Sequence, residues 1–189
     1  LLVIFTSGIQ ASESHFSTAG FYELANSGRE VYNMNVGWRF YKGSCPDAWQ
    51  REFDDSSWEV VSIPHGLELL PEEASGNINY QGRAWYRKNF SVPANLKDKK
   101  VYLHFEGIMG KSRIWLNGKL LKEHFNGYLP IIADVTEDLN FEMENTLSIC
   151  ADNSDDPSFL PGKPQQALDF TYFGGIYRDC FLICLLYTS

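Results

Sequence analysis

Short runs in which apolar and polar residues alternate dominate the chain, and long runs with helical spacing are hard to find. The clearest alternation is KKVYLHFEGI (residues 99–108), in which Val101, Leu103 and Phe105 fall on one face. A period of two is typical of a strand that buries one face and exposes the other. The pattern therefore predicts a half-buried antiparallel strand at this position.

Other strand-like runs are separated by Gly, Pro, Asn and Asp, residues that favour turns. The further predicted strands lie at 36–43, 59–64, 83–93, 112–124, 145–153 and 174–183, and a short extended run is predicted within 128–139. Asn117-Gly118 divides the fourth of these runs into a hairpin, because both residues tolerate the positive φ of a type I′ turn. One helical turn is expected near Thr136–Leu139, and long loops are expected at 66–81 and 152–168.

Several short antiparallel strands with one apolar face each favour two packed sheets, because each sheet then buries its apolar face against the other. The fold class predicted is therefore all-β, with an antiparallel jelly-roll β-sandwich as its expected form. Spacing along the chain does not determine the order of the strands.

Composition supports a folded β-rich domain and excludes some partners. The chain of 189 residues is 44% apolar and 15% aromatic, and its formal net charge is −8. A nucleic-acid partner requires a basic face, so none is expected. The histidines are scattered without a second ligand at metal-binding spacing, and no glycine loop of the phosphate-binding kind precedes a helix. We expect no cofactor and assign no metal ligand in this chain.

The cysteines and the two chain ends give weaker indications. When Cys184 is set aside with the adapter-like closing residues, three of the four cysteines remain: Cys45, Cys150 and Cys180. They are widely spaced and odd in number, which predicts ordinary, partly buried thiols. The opening LLVIFTSGIQASES resembles the latter half of a secretory signal peptide with cleavage after Ala11, the alternative being a buried N-terminal strand. Its apolar run is too short to span a bilayer, so no membrane partner is expected. The closing CLLYTS matches one reading frame of a common transposon-end adapter.

Two polar residues in the long loops are the candidates for chemistry. Asn79 lies in GNINYQGRAWYRK and Asp169 lies in ALDFTYFGG, each among aromatic residues. Sugar sites use such a combination, because amides and carboxylates hydrogen-bond the ring hydroxyls while aromatic faces cover the C–H side. The alternative is that Asp169 caps a turn and that the aromatic residues belong to the core.

The order of the segments resembles the N-terminal sugar-binding domain of glycoside hydrolase family 2, over roughly residues 32–183. The matching segments include GWRFYKG, FDDSSWEVVSIPHG, NYQGRAWYRKNFSVP, WLNGKLLKEHFNGYLPIIADVT and DFTYFGGIYRD. The resemblance implies a galactose-binding-like jelly roll that packs beside an immunoglobulin-like domain and a (β/α)8 barrel of the same protein. It also implies that the barrel carries the two catalytic glutamates of a retaining mechanism, so we assign no catalytic residue in this chain.

The resemblance also assigns roles to the two candidates. Asp169 lies just before the family's Gly-Ile-aromatic-Arg signature, a position that implies contact with the hydroxyls of the substrate. Asn79 begins the family's Asn-x-x-Gly loop, a position that implies lining of the substrate pocket, as in some members. The expected organisation is a truncated signal peptide at 1–11, a leader at 12–30, the sugar-binding domain at 31–183 and an adapter-derived tail at 184–189.

The function expected is therefore that of a fragment of an exported bacterial enzyme, periplasmic or extracellular, acting on a carbohydrate. For the full-length enzyme, called the parent enzyme below, the first candidate activity is β-galactosidase and the second is β-glucuronidase. The alternative is a stand-alone lectin-like module that binds glycans without cleaving them.

Overall fold

The computed structural model describes residues 28–68, 79–158, 160, 162–168 and 170–185. Ten β-strands occur within these residues. In chain order they are β1 (Arg29–Asn33), β2 (Trp38–Lys42), β3 (Glu59–Val61), β4 (Arg83–Phe90), β5 (Lys100–Phe105), β6 (Lys111–Leu116), β7 (Lys119–Phe125), β8 (Ile131–Asp134), β9 (Asn145–Asp152) and β10 (Cys180–Leu185). Two short 3-10 segments, Ala94–Leu96 and Gln165–Ala167, complete the regular structure of this part.

The strands form two sheets that enclose the main core. One sheet has four strands in the order β1-β10-β5-β8, and the other has six in the order β3-β2-β4-β9-β6-β7. Neighbouring strands are antiparallel throughout. The largest fully buried side chains between the sheets include Trp38, Tyr86, Phe105, Ile108 and Ile149. The predicted all-β, antiparallel sandwich is confirmed.

Two local predictions are confirmed in detail. In β5, the side chains of Val101, Leu103 and Phe105 are buried, as the alternation requires. At the β6–β7 turn, Asn117 has φ of 53° and Gly118 has φ of 83°, both in the left-handed region. These are the signs that a type I′ turn needs, so the Asn-Gly pair closes a two-residue hairpin.

Two elements differ from the sequence prediction. β1 was not predicted, and its last four residues are all partly buried without alternation because it is an edge strand that pairs only with β10. β10 begins at Cys180, whereas the predicted strand began at Gly174. Residues 174–177 instead contact the segments that follow β3 and β5, and Met109 and Gly175 form an isolated bridge there.

A second, smaller apolar cluster lies on the outer face of the six-stranded sheet, under the loop 43–58 that joins β2 to β3. Arg87 of β4 holds this loop, and only 1% of the arginine is exposed. Its guanidinium donates hydrogen bonds to the main-chain oxygens of Ala48 and Gln50 and to the carboxylate of Asp55, the last at 2.8 Å. The loop is therefore fixed on the sheet by one buried cation.

Some predictions about the ends and the thiols fall partly outside the described residues. Residues 1–27 and 186–189 lie outside them, whereas Cys184 and Leu185 continue the pairing of β10. Cys45 and Cys150 are half-buried free thiols, and Cys180 is fully buried. Where the chain is described, no helix is long and apolar enough to cross a membrane.

Candidate functional site

Asn79 lies in the short segment that leads into β4, and its side chain joins two loops. It is 6% exposed. Its main-chain N–H donates to Gln165 Oε1 at 3.0 Å, and its Nδ2 donates to the carbonyl oxygen of Tyr172 at 2.7 Å. Its Oδ1 accepts a hydrogen bond from Gln165 Nε2 at 2.6 Å. Asn79 is therefore hydrogen-bonded to two points, Gln165 and Tyr172, on the loop that approaches β10.

These two points lie on either side of Asp169. Gln165 precedes Asp169 by four residues and Tyr172 follows it by three. Asp169 itself lies outside the described residues. The structure thus brings the Asn79 segment and the segments flanking Asp169 together. The role of the carboxylate stays a prediction.

The predicted role of Asn79 as a substrate contact also stays a prediction, but its geometry indicates a further role. A side-chain amide offers two N–H donors and an oxygen with two lone pairs. Two of these four positions are used by Gln165 and Tyr172. Because the amide is buried and bonded to protein, Asn79 also holds Gln165 and Tyr172 against the segment that leads into β4.

A second buried amide supports the same segment from the end of β9. Asn153 is 2% exposed; its Oδ1 accepts from the N–H of Gly82 and its Nδ2 donates to the carbonyl of Tyr80, both at 2.8 Å. Gln81 donates to the carboxylate of Asp155 at 2.6 Å. We did not predict Asn153 from the sequence, although the run of Asn, Ser and Asp after a strand indicates side chains that bond nearby main chain.

The Gly174-Gly175 pair forms the base of the loop. The N–H groups of His65 and Leu67 donate to the carbonyls of Ile176 and Gly174 at 2.8 and 3.1 Å. Gly175 has φ of 99°, and a Cβ there would lie 2.5 Å from the Tyr86 hydroxyl. Glycine at these two positions therefore permits the close approach of the backbone to its neighbours.

Beneath this base, two titratable side chains form a neutral pair. His65 Nδ1 and the Tyr86 hydroxyl are 2.9 Å apart. Burial lowers the pKa of His65 and raises the pKa of Tyr86. Both shifts favour the uncharged forms near pH 7, so the base carries a hydrogen bond rather than a charge.

The surface around the loop combines exposed aromatic rings with carboxylates. Phe170 and Phe173 are exposed, whereas Tyr172, which lies between them in the sequence, is buried. Burial, followed by the nearby carboxylate of Asp155, raises the pKa of Tyr172, which keeps its hydroxyl protonated. The arrangement can present polar oxygens beside ring faces, which is suited to a polyol ligand. Within the described ranges, no group of three or more His, Cys, Asp or Glu residues is placed to hold a metal ion.

The amides of Asn79 and Gln165 are expected to be energetically coupled. In a double-mutant cycle with Asn79→Ala and Gln165→Ala, we expect a coupling of about 1–2 kcal/mol, because either single change leaves a buried polar partner unpaired. Urea unfolding of the four variants measures it. The exposed hydrogen bond from Gln50 to Asp47 provides the control cycle, with coupling near zero. Equal coupling in the two cycles would contradict the positioning role of Asn79.

Comparisons with known proteins place these features in context. A family model described as "Glycosyl hydrolase 2 galactose-binding domain-like" matches residues 71–158. A β-galactosidase of Thermoanaerobacter pseudethanolicus is 36% identical over 156 residues, covering 82% of this chain and 21% of that protein. A β-glucuronidase of Formosa agariphila is 32% identical over 171 residues, covering 84% of this chain and 17% of that protein.

A solved structure shares the same architecture. The crystal structure of a Bacteroides uniformis β-glucuronidase has a TM-score of 0.72 and 34% identity, covering 82% of this chain and 18% of that one. The chain thus spans about a fifth of the length of the curated relatives that it matches.

Proposed function

Because the chain belongs to the galactose-binding-like N-terminal domains of glycoside hydrolase family 2, we propose that it is the substrate-contacting part of a longer retaining β-glycosidase. The observation that carries this proposal is the double attachment of Asn79 to Gln165 and Tyr172. It joins the Asn79 segment to residues that precede and follow Asp169 in the chain. A polar group that positions a substrate needs this kind of support.

In this proposal the Asp169 carboxylate accepts hydrogen bonds from hydroxyls of the terminal sugar. Such bonds to an ionised acceptor are short and strong, and they fix the sugar against the catalytic groups. The catalytic acid/base and the nucleophile are two carboxylates about 5–5.5 Å apart on a barrel domain of the parent, and neither belongs to this chain. The chain therefore contributes binding and orientation, not bond cleavage.

The substrate we propose is a terminal β-linked galactose, with glucuronic acid as the second candidate. The names of the relatives support both: one is a β-galactosidase and another is a β-glucuronidase. The parent is further proposed to be exported by a bacterium, on the basis of the apolar run LLVIF followed by small and polar residues. Parent enzyme assayed on p-nitrophenyl β-galactoside and β-glucuronide discriminates between the two sugars, and we expect faster turnover of the galactoside.

Replacing Asp169 tests the proposal directly. In the parent enzyme, Asp169→Ala is expected to lower kcat/KM at least tenfold, about 1.4 kcal/mol of transition-state stabilisation, because the sugar hydroxyls lose a charged acceptor. Steady-state kinetics on the better p-nitrophenyl glycoside measures the change.

The control is Asp54→Ala, which removes an exposed carboxylate that accepts a hydrogen bond from Ser56 in its own turn. We expect its kcat/KM to equal that of the wild type. The 189-residue chain alone serves as the blank and should give no turnover. Wild-type kcat/KM in Asp169→Ala would exclude Asp169 from the site.

A further inference from the structure

The outer face of the six-stranded sheet carries side chains in aligned rows. The register of β4, β9 and β6 places residues of the three strands opposite one another. The two rows nearest the Asn79 segment are Arg83–Asp152–Lys111 and Trp85–Cys150–Arg113. Because side chains of a strand alternate between faces, all six belong to the face opposite the core.

These rows form the bottom of an open groove. Its volume is about 860 Å³, within the range of ligand-binding clefts. The rings of Trp85 and Trp115 stack in its floor, with centroids 5.5 Å apart. Trp49 of the loop 43–58 and Phe125 of β7 also line it, and both are exposed.

Each cation that lines the groove is paired with a carboxylate and is the more exposed member of its pair. The side chains of Arg83 and Asp152 are 57% and 19% exposed, and those of Lys111 and Asp156 are 36% and 22% exposed. For the Arg113–Glu123 pair the values are 57% and 39%. The groove therefore presents cations to a ligand, although the chain as a whole has a net charge of −8.

We propose that this groove binds an anionic polysaccharide, one that carries carboxylate or sulfate groups. The exposed guanidinium groups of Arg83 and Arg113 match such oxyanions in geometry, since arginine can bond them through two parallel N–H groups. The exposed rings of Trp49 and Phe125 offer apolar faces for the C–H side of the sugars. A neutral glycan offers no oxyanion for the exposed guanidinium groups of Arg83 and Arg113, so an anionic glycan is the better match.

The position of the groove favours a polymer rather than a single sugar. Arg83 directly follows the 79–82 segment, and Asp152 directly precedes Asn153, which holds that segment. The groove therefore starts beside the candidate site and continues along the sheet. The inference does not rest on the proposed glycosidase activity, because binding is measured without hydrolysis.

Affinity electrophoresis of the 189-residue chain in gels that contain a polysaccharide tests the proposal. The probes are polygalacturonate for carboxylates, dextran sulfate for sulfates, and dextran as the neutral comparison. We expect retardation by at least one anionic polymer and none by dextran. The polymer that retards the chain identifies which oxyanion the groove prefers.

Two variants assign the binding to the groove. Arg83→Gln/Arg113→Gln is expected to weaken retardation at least tenfold, and Trp49→Ala at least threefold. The charge-matched control, Lys97→Gln/Lys119→Gln, alters cations that do not line the groove and should bind as the wild type does. Thermal unfolding confirms that each variant is folded. Equal retardation by dextran, no retardation by either anionic polymer, or unchanged binding in the double arginine variant would overturn the proposal.

Discussion

Replacing Arg87 with leucine is expected to lower the free energy of unfolding by about 3–5 kcal/mol, the largest effect we predict for a single side chain. The guanidinium is 1% exposed and bonds the carboxylate of Asp55, the hydroxyl of Ser148 and main-chain oxygens of the loop 43–58. Leucine supplies none of these donors, so buried acceptors lose their partners. Urea unfolding, followed by tryptophan fluorescence, measures the change, since Trp58 and Trp85 lie in the adjoining cluster.

Arg83→Leu is the matched control, because Arg83 lies four residues earlier on the same face of β4. Its pair with Asp152 spans 3.4 Å and its side chain is 57% exposed. An exposed pair contributes about 1 kcal/mol or less. Arg87→Lys should fall between the two, since lysine keeps the charge but not the planar set of donors. Equal losses in Arg83→Leu and Arg87→Leu would show that Arg87 does not hold the loop.

The buried arginine also links the stability of the fold to the groove. Trp49 lines the groove and belongs to the loop that Arg87 holds. Ala48, beside it, is fully buried in the small outer cluster. A loosened loop would move the aromatic side of the groove while leaving the cations of β4 and β6 in place. Arg87→Leu should therefore change polysaccharide binding through Trp49, not through charge.

Much of the fold was predictable because short stretches of sequence indicate its strands and its hairpin turn. Alternation in 99–108 and the Asn117-Gly118 pair each indicate one structure, and each is found. β1 was not predictable in this way, because an edge strand with little alternation is stabilised by β10, some 150 residues away. The sheet order likewise depends on pairings between distant strands.

The candidate site was predictable only in part. The sequence indicated Asn79 and Asp169 as substrate contacts, which stays a prediction, and the structure adds the hydrogen bonds of Asn79 with Gln165 and Tyr172. The sequence did not indicate Gln165 or Asn153, because the residue type alone does not show whether an amide is buried or which groups it hydrogen-bonds. Nor did it indicate that Arg87 is buried while Arg83 is exposed: the two arginines share a face of one strand and differ in what covers them.

Gly175→Ala is expected to destabilise the protein by about 3 kcal/mol, because the added methyl group has no space. Its Cβ would lie 2.5 Å from the Tyr86 hydroxyl and 2.7 Å from the carbonyl oxygen of His65. The carbonyl belongs to a main chain that is itself bonded to Ile176, so it cannot withdraw without breaking that contact. The positive φ adds about 1–2 kcal/mol for any residue with a Cβ. Urea unfolding of the 189-residue chain measures the loss.

Gly37→Ala separates the steric contact from the backbone strain. Gly37 also has a positive φ, of 73°, but the nearest atom to its Cβ would be the flexible end of Lys88 at 3.8 Å. Its substitution should therefore show the backbone strain alone, about 1–2 kcal/mol. If the two alanine variants lose equal stability, close approach at Gly175 is not what requires glycine. If Gly175→Ala loses more, as expected, it should also lower kcat/KM in the parent enzyme, because the same segment carries the loop that contains Asp169.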